Sequence, residues 1–331
     1  MHLDPNIVNL LAAASAAAYQ DFTNSNVPGY TPEPLTHNGI IFNYVQRFTG
    51  FDDVAWGSGK EECYALLYHS ANENTVYLMA FRGTSSADDM LLDLESGASE
   101  AFKPYLVVDN FPADIHVGDG FNKIYTTKNY SMSDSLQVQL FEALKKLTNP
   151  PTKIIITGHS LGGALASLFA LDIAACSPDI DVYSLTFASP RVGTSKWQTA
   201  YNQTYKLFER TIRVRNTYDL VPKSPAEHWP FDFCDIGQTF FVSFSVEKDH
   251  IQLSDIILSW HALTNYTYVT TRAVLSNPQV WTGEFPDQAH NGWNMMSYDT
   301  DVKNSALEQA GSRNEVQQLL DGNKPQKTVP V

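Results

Sequence analysis

The stretch Lys153-Ile154-Ile155-Ile156-Thr157-Gly158-His159-Ser160-Leu161-Gly162-Gly163 decides how this chain is read. Lys153 to Thr157 is a short β-branched run, the signature of a central strand buried on both faces. Leu161 to Ala175 is apolar nearly all round, which predicts a buried helix. Between the two, Gly158-His159-Ser160-Leu161-Gly162 fits the pattern G-x-S-x-G. A serine at that place sits on a tight strand-to-helix turn with strained backbone angles. Its flanking residues must therefore be small, and Gly158 and Gly162 supply that. The helix that follows would aim its unpaired N–H groups and positive dipole end at any negative charge forming beside the hydroxyl, with Leu161 N–H as the natural first donor. Three fixed residues recur by chance, so the weight rests on their placement between a β-branched strand and a buried helix. Ser160 is the candidate nucleophile.

Working outward, Glu62 to Tyr68 and Thr75 to Phe81 are strand-like runs joined by the polar turn Ser70 to Asn74, and they read as a hairpin. Ser133 to Leu147 carries Leu136, Leu140, Leu144 and Leu147 at helical spacing before Asn149, Pro150 and Pro151 stop it. Val182 to Ala188 and Thr211 to Val214 are two further strands. Strands and helices in this order predict an α/β fold with a mostly parallel sheet and helices on both faces. Ile7 to Tyr19 could pass for the core of a signal peptide, but Asp4 and Pro5 precede it and no Lys or Arg does. Asp4 before Pro5 reads instead as a cap and a first-turn proline, so the stretch is expected to be a packed amphipathic helix.

The charge narrows the partners. With 22 basic against 36 acidic residues the formal net charge is −14, which argues against nucleic acid, whose phosphates call for Lys and Arg clusters. The same charge repels anionic membrane surfaces, so a lipid-directed activity would favour neutral lipids and their interface with water. No apolar run reaches the roughly 20 residues needed to span a bilayer, so no stable membrane insertion is expected. Cys63, Cys176 and Cys234 allow one disulfide at most. They form no C-x-x-C or zinc spacing, and buried thiols are the expectation. Oligomeric state is not legible.

Gly158-His159-Ser160-Leu161-Gly162-Gly163, with Lys153 to Thr157 before it and Ala164 to Ala170 after it, resembles the class 3 (fungal-type) lipases of the α/β-hydrolase fold. Three further stretches are similar to that family in its own order: Ala80 to Ser86 to its oxyanion strand end, Asn216 to Pro222 to its acid loop, and His261 to Tyr266 to its histidine segment. The resemblance runs from about residue 5 to 272. It implies a triacylglycerol lipase acting through a Ser-His-Asp triad and an acyl-enzyme, with a neutral lipid or other ester as substrate and no metal or organic cofactor.

A serine hydroxyl needs a base within hydrogen-bond reach. Nine histidines are available, and spacing alone does not choose among them. The resemblance selects His261 over its rivals His290 and His250. The base in turn needs an acid to hold its tautomer. An aspartate in a loop is by default a turn former, but Asp219 follows a strand at the end where catalytic loops gather, and the resemblance assigns it the role. The resemblance also implies that Thr84 N–H joins Leu161 N–H in the oxyanion hole, with Gly83 allowing close approach. For Arg82 a structural ion pair is as good a reading as a substrate role. Met90, Leu91, Leu92 and Leu94 make residues 86–94 too apolar for an ordinary exposed loop. By resemblance this stretch is the lid, with Asp93 as the aspartate that steadies the oxyanion residue. A helix simply packed on the core is the competing reading.

Gly118 stands where the family often has a histidine, and three cysteines cannot form the fungal disulfide set. The expected organisation is one domain over residues 1–285, its lid near 85–100, then a polar extension over 286–331 whose end, from Lys324, is disordered. The competing activities are a feruloyl-type or other soluble-ester esterase and a phospholipase A1. A non-catalytic lipid-binding protein is the alternative of another class. Family analogy implies secretion, while the missing cationic lead-in leaves a cytoplasmic location open.

Overall fold

The computed structural model describes residues 5–52, 59–84, 98–227, 232–242, 244–247, 258–276, 280–284 and 294–298. Its frame is an eight-stranded sheet of β1 (Leu35–His37), β2 (Ile40–Asp52), β3 (Lys60–Ser70), β4 (Val76–Phe81), β5 (Lys153–His159), β6 (Asp181–Phe187), β7 (Thr211–Asn216) and β8 (Gln238–Val242), which lie in that order across the sheet. β1 to β4 form antiparallel hairpins, and β4 to β8 run parallel to one another. The hairpin expected from residues 62–81 is present, with Ala65 opposite Phe81 and Tyr68 opposite Leu78.

Alternation along the strands divides the core in two. Ile154 and Ile156 of β5 and Met79 and Phe81 of β4 face one side. There α2 (Asp119–Thr126), α3 (Leu136–Lys145) and α4 (Leu161–Cys176) cover them with Tyr125, Leu140, Leu165 and Phe169. Ile155 of β5, Leu78 of β4 and Val214 of β7 face the other side, under α1 (Pro5–Asn24) and α5 (Leu263–Ser276). Both faces being covered is why β5 reads as an unbroken apolar run. α3 begins at Ser135, whose hydroxyl accepts Val138 N–H. It is shorter at both ends than the leucine spacing suggests.

The helix expected at Ile7 to Tyr19 spans Pro5–Asn24, with Ile7, Val8, Leu10, Leu11, Ala14 and Ala18 buried. Each large member of that set stabilises by up to about 1.5–3 kcal/mol relative to exposure. All three cysteines are free thiols. Two smaller sheets flank the frame. One joins Ser99–Ala101, His116–Gly118, Gly193–Thr194 and Phe233–Cys234, and the other joins Phe244–Glu247, Asn294–Tyr298 and Val280–Glu284. Among the described residues no helix is long and apolar enough to cross a membrane. The lid residues Met90 to Leu94, the rival histidines His250 and His290, and the tail from Lys324 lie outside the described residues.

Candidate active site

The parallel strands β4, β5 and β7 end on the same edge of the sheet, and each delivers one part of the site. β5 runs into Ser160, which holds φ 61° and ψ −130° before α4 begins. That backbone region is foreign to a residue with a side chain and costs about 1–3 kcal/mol, which the surroundings must supply. Ser160 N–H donates to Phe187 O at 3.0 Å, and Gly163 N–H donates to Ser160 O at 2.8 Å. The glycines make the turn sterically feasible. A Cβ on Gly158 would lie 2.3 Å from Gly162 O, and one on Gly162 would lie 2.5 Å from Phe81 O. Both obstacles are backbone atoms, which cannot swing aside.

β7 leads to Asp219, and the helical turn at 258–261 carries His261. His261 Nε2 stands 2.8 Å from Ser160 Oγ, and His261 Nδ1 stands 2.9 Å from Asp219 Oδ2. All three residues are buried. Asp219 is held from two further sides, since Tyr266 O–H donates to Oδ2 at 2.7 Å and Val221 N–H donates to Oδ1 at 3.0 Å. Tyr266 Oη also accepts Asn216 N–H at 2.8 Å, so one tyrosine ties α5 to the end of β7. Burial, then the negative charge of Asp219, hold the Tyr266 hydroxyl well above the ordinary phenol range, so it remains a donor. The Asp219 carboxylate thus accepts three bonds, one of them from an imidazole aligned on a serine hydroxyl. Such an arrangement can move a proton off the hydroxyl while holding the imidazole in one tautomer.

β4 ends in Arg82, Gly83 and Thr84. Gly83 packs so tightly on the turn that a Cβ there would lie 2.9 Å from Ser160 Cβ. Thr84, half-buried, follows it. Arg82 is structural. Its guanidinium donates to Cys63 O at 2.5 Å and Gly83 O at 2.8 Å, pairs with Glu62 at 2.5 Å, and lies between the rings of Phe22 and Tyr64. Gly118, where a family histidine was expected, packs against the Phe121 ring, 2.9 Å from where its Cβ would be.

Two residues here carry roles that the sequence reading did not assign. His159 Nε2 is 2.7 Å from the His261 carbonyl, and His159 Nδ1 is 2.9 Å from Tyr19 Oη. The nearest signal for Tyr19 was its stripe on α1, where Val8, Leu11 and Ser15 precede it at helical spacing and Ser15 and Tyr19 break an otherwise apolar line. Among the described residues no cluster of three or more His, Cys, Asp or Glu could hold a metal ion.

Residues 78–229 match the family described as lipase (class 3). Phospholipase A1-II 3 of Oryza sativa subsp. indica is 30% identical over 270 residues, covering 72% of this chain and 57% of the rice protein. The chain spans about half the length of the curated relatives it matches. Among solved structures, the M37 lipase superposes with a TM-score of 0.56 at 16% identity over 84% of this chain and 98% of its own. The Lip2 lipase of Yarrowia lipolytica gives 0.51 at 18% identity over 72% and 80%. These likenesses show a shared fold, the α/β-hydrolase fold expected above.

Proposed function

We propose, from the match of residues 78–229 to the class 3 lipase family and from the geometry of the site, that this chain hydrolyses the carboxylic esters of lipids through an acyl-enzyme on Ser160. The observation that carries the reading is the line from Ser160 Oγ through His261 to Asp219, with 2.8 and 2.9 Å between successive groups. His261 takes the hydroxyl proton as Oγ bonds to the ester carbonyl carbon. The tetrahedral oxyanion is held by the N–H groups of Leu161 and Thr84. Collapse breaks the carbon–oxygen bond of the leaving alcohol, which takes the proton from His261. Water then repeats the cycle on the acyl-enzyme and releases the acid. Asp219 keeps Nδ1 protonated and opposes the imidazolium charge while it exists.

A lipid substrate is supported by the neighbours of Asp219 and His261. Asp219 is buried, yet its neighbours Tyr218 and Leu220 are 38% and 39% exposed. The Tyr218 ring lies 5.8 Å from that of Trp260, the residue before His261. Exposed apolar and aromatic side chains next to Asp219 and His261 would suit an acyl chain at an oil–water boundary. Residues Met90 to Leu94 would add to them as a lid, with Asp93 bracing Thr84.

Triacylglycerol is the first substrate class we assign. Phospholipase A1 activity is the second reading, favoured by the 30% identity to the rice protein of that name. Initial rates on tributyrin, triolein and phosphatidylcholine emulsions separate the two. Release of p-nitrophenol from p-nitrophenyl butyrate by the wild type, and its loss in Ser160→Ala, test the reaction itself. A wild-type protein that releases none would leave only the lipid-binding alternative.

A further inference from the structure

A line of hydrogen bonds joins Tyr19, His159 and the His261 backbone, three segments distant in sequence, and Gly83 packs against its outer end. Gly83 packs so closely on Tyr19 Oη that a Cβ there would lie 2.4 Å from that oxygen. Tyr19 Oη is 2.9 Å from His159 Nδ1, and His159 Nε2 is 2.7 Å from the carbonyl oxygen of His261. The direction of every bond follows from its ends. A carbonyl can only accept, so His159 Nε2 carries hydrogen. In a neutral ring Nδ1 is then bare and accepts the Tyr19 O–H. The imidazole is kept neutral by burial and by His261, whose ring centroid is 4.7 Å away. The Tyr19 ring is partly exposed while its hydroxyl lies inside, where burial pushes it well above the phenol range. No member therefore gains or loses a proton in the neutral range, and the line is a strut.

What it spans gives it a purpose. One end packs against the residue before Thr84, the proposed oxyanion donor just beyond β4, and the other holds the backbone of the base. His159 is itself the residue before the nucleophile. We propose that Tyr19 and His159 are positioning residues that set the distance between the oxyanion strand and His261 about Ser160. This rests on the ester-hydrolase reading of the site. Neither side chain touches the reacting atoms, so their loss disturbs the alignment of groups that meet in the transition state while leaving the binding of the acyl chain alone. A misplacement near 1 Å at such a site costs about 100-fold in rate.

The test is steady-state kinetics on p-nitrophenyl butyrate for Tyr19→Phe, His159→Leu, the double variant and His159→Gln, with urea unfolding of each. Tyr19→Phe should lower kcat by about 10-fold and His159→Leu by about 100-fold, with KM moving less than about two-fold. The double variant should be no slower than His159→Leu, because a broken strut cannot be broken again. His159→Gln, whose amide offers one acceptor and one donor, should recover part of the loss. Independent, multiplying effects would overturn the proposal. So would a loss of unfolding stability in Tyr19→Phe with kcat unchanged, a test that stands even if His159→Leu fails to fold. A wild type inactive on the ester overturns the strut together with the reading beneath it. An active wild type with additive variants overturns the strut alone.

Discussion

Replacing Asp219 by asparagine asks whether this carboxylate acts by its charge and by the tautomer it imposes. In the structure Oδ2 faces His261 Nδ1 at 2.9 Å and Tyr266 Oη at 2.7 Å, while Oδ1 faces Val221 N at 3.0 Å. All three partners are donors in the native state. An asparagine has one oxygen to offer. Turned toward Val221, it presents its NH2 to His261 Nδ1, which must then accept. The imidazole hydrogen moves to Nε2, against Ser160 Oγ, and the base can no longer take the serine proton. The opposite orientation sets NH2 against Val221 N–H in a buried place and costs about 1–3 kcal/mol, so the unproductive form dominates. The expected loss in kcat is about 10⁴, equivalent to roughly 5.4 kcal/mol of transition-state stabilisation. Asparagine matches aspartate in shape, so the fold should survive. The assay is initial rates on p-nitrophenyl butyrate, with near-ultraviolet circular dichroism to show native packing and a phosphonate titration to exclude wild-type carry-over. A folded variant that keeps more than about one per cent of wild-type kcat refutes the reasoning.

Tyr266→Phe removes one of the three bonds to Asp219 and strands Asn216 N–H. It should cost about 1–3 kcal/mol in urea unfolding and lower kcat several-fold, far less than Asp219→Asn. Asp235 meets Arg213, Arg191 and Arg215. Burial alone would raise its pKa, but the three guanidiniums outweigh that and hold it below the ordinary carboxylate range. Its stabilisation is therefore complete above the unfolded value near 4 and is lost as pH falls through the lower folded value. Asp235→Asn should be less stable at pH 7 by about 2–4 kcal/mol, and urea titrations from pH 7 downward should show a shallower acid loss than in the wild type. Leu91→Asp with Leu92→Asp should flatten the rise in rate expected as tributyrin passes its solubility limit. A wild type without that rise would favour a soluble-ester esterase.

How far the fold was legible followed from how each element is buried. β5 and α4 stood out because both are enclosed on every side, and β3 and β4 because a polar turn separates two apolar runs. β2 escaped notice. It lies toward the antiparallel end of the sheet, and its alternation is broken by Asn43, Gln46 and Arg47 and by register shifts at Tyr44/Gln46 and Phe48/Thr49. At the site, the sequence points to Ser160, Asp219 and His261, and His261 lies within hydrogen-bond reach of both the others. For Ser160 the residues alone sufficed, whereas His261 and Asp219 needed the family resemblance. The Tyr19–His159 line was illegible because its partners lie 140 and 102 positions apart, and only the folded sheet brings α1 and the histidine turn to the same strand end.

The central claim is that Ser160 is the nucleophile, and covalent trapping tests it most directly. A p-nitrophenyl alkylphosphonate should release one equivalent of p-nitrophenol per protein molecule, abolish ester hydrolysis in step with labelling, and leave its phosphonyl group on the peptide that carries Ser160. Ser160→Ala should take up none. Stoichiometric labelling of any other residue, or a fully labelled Ser160 with hydrolysis intact, would contradict the account.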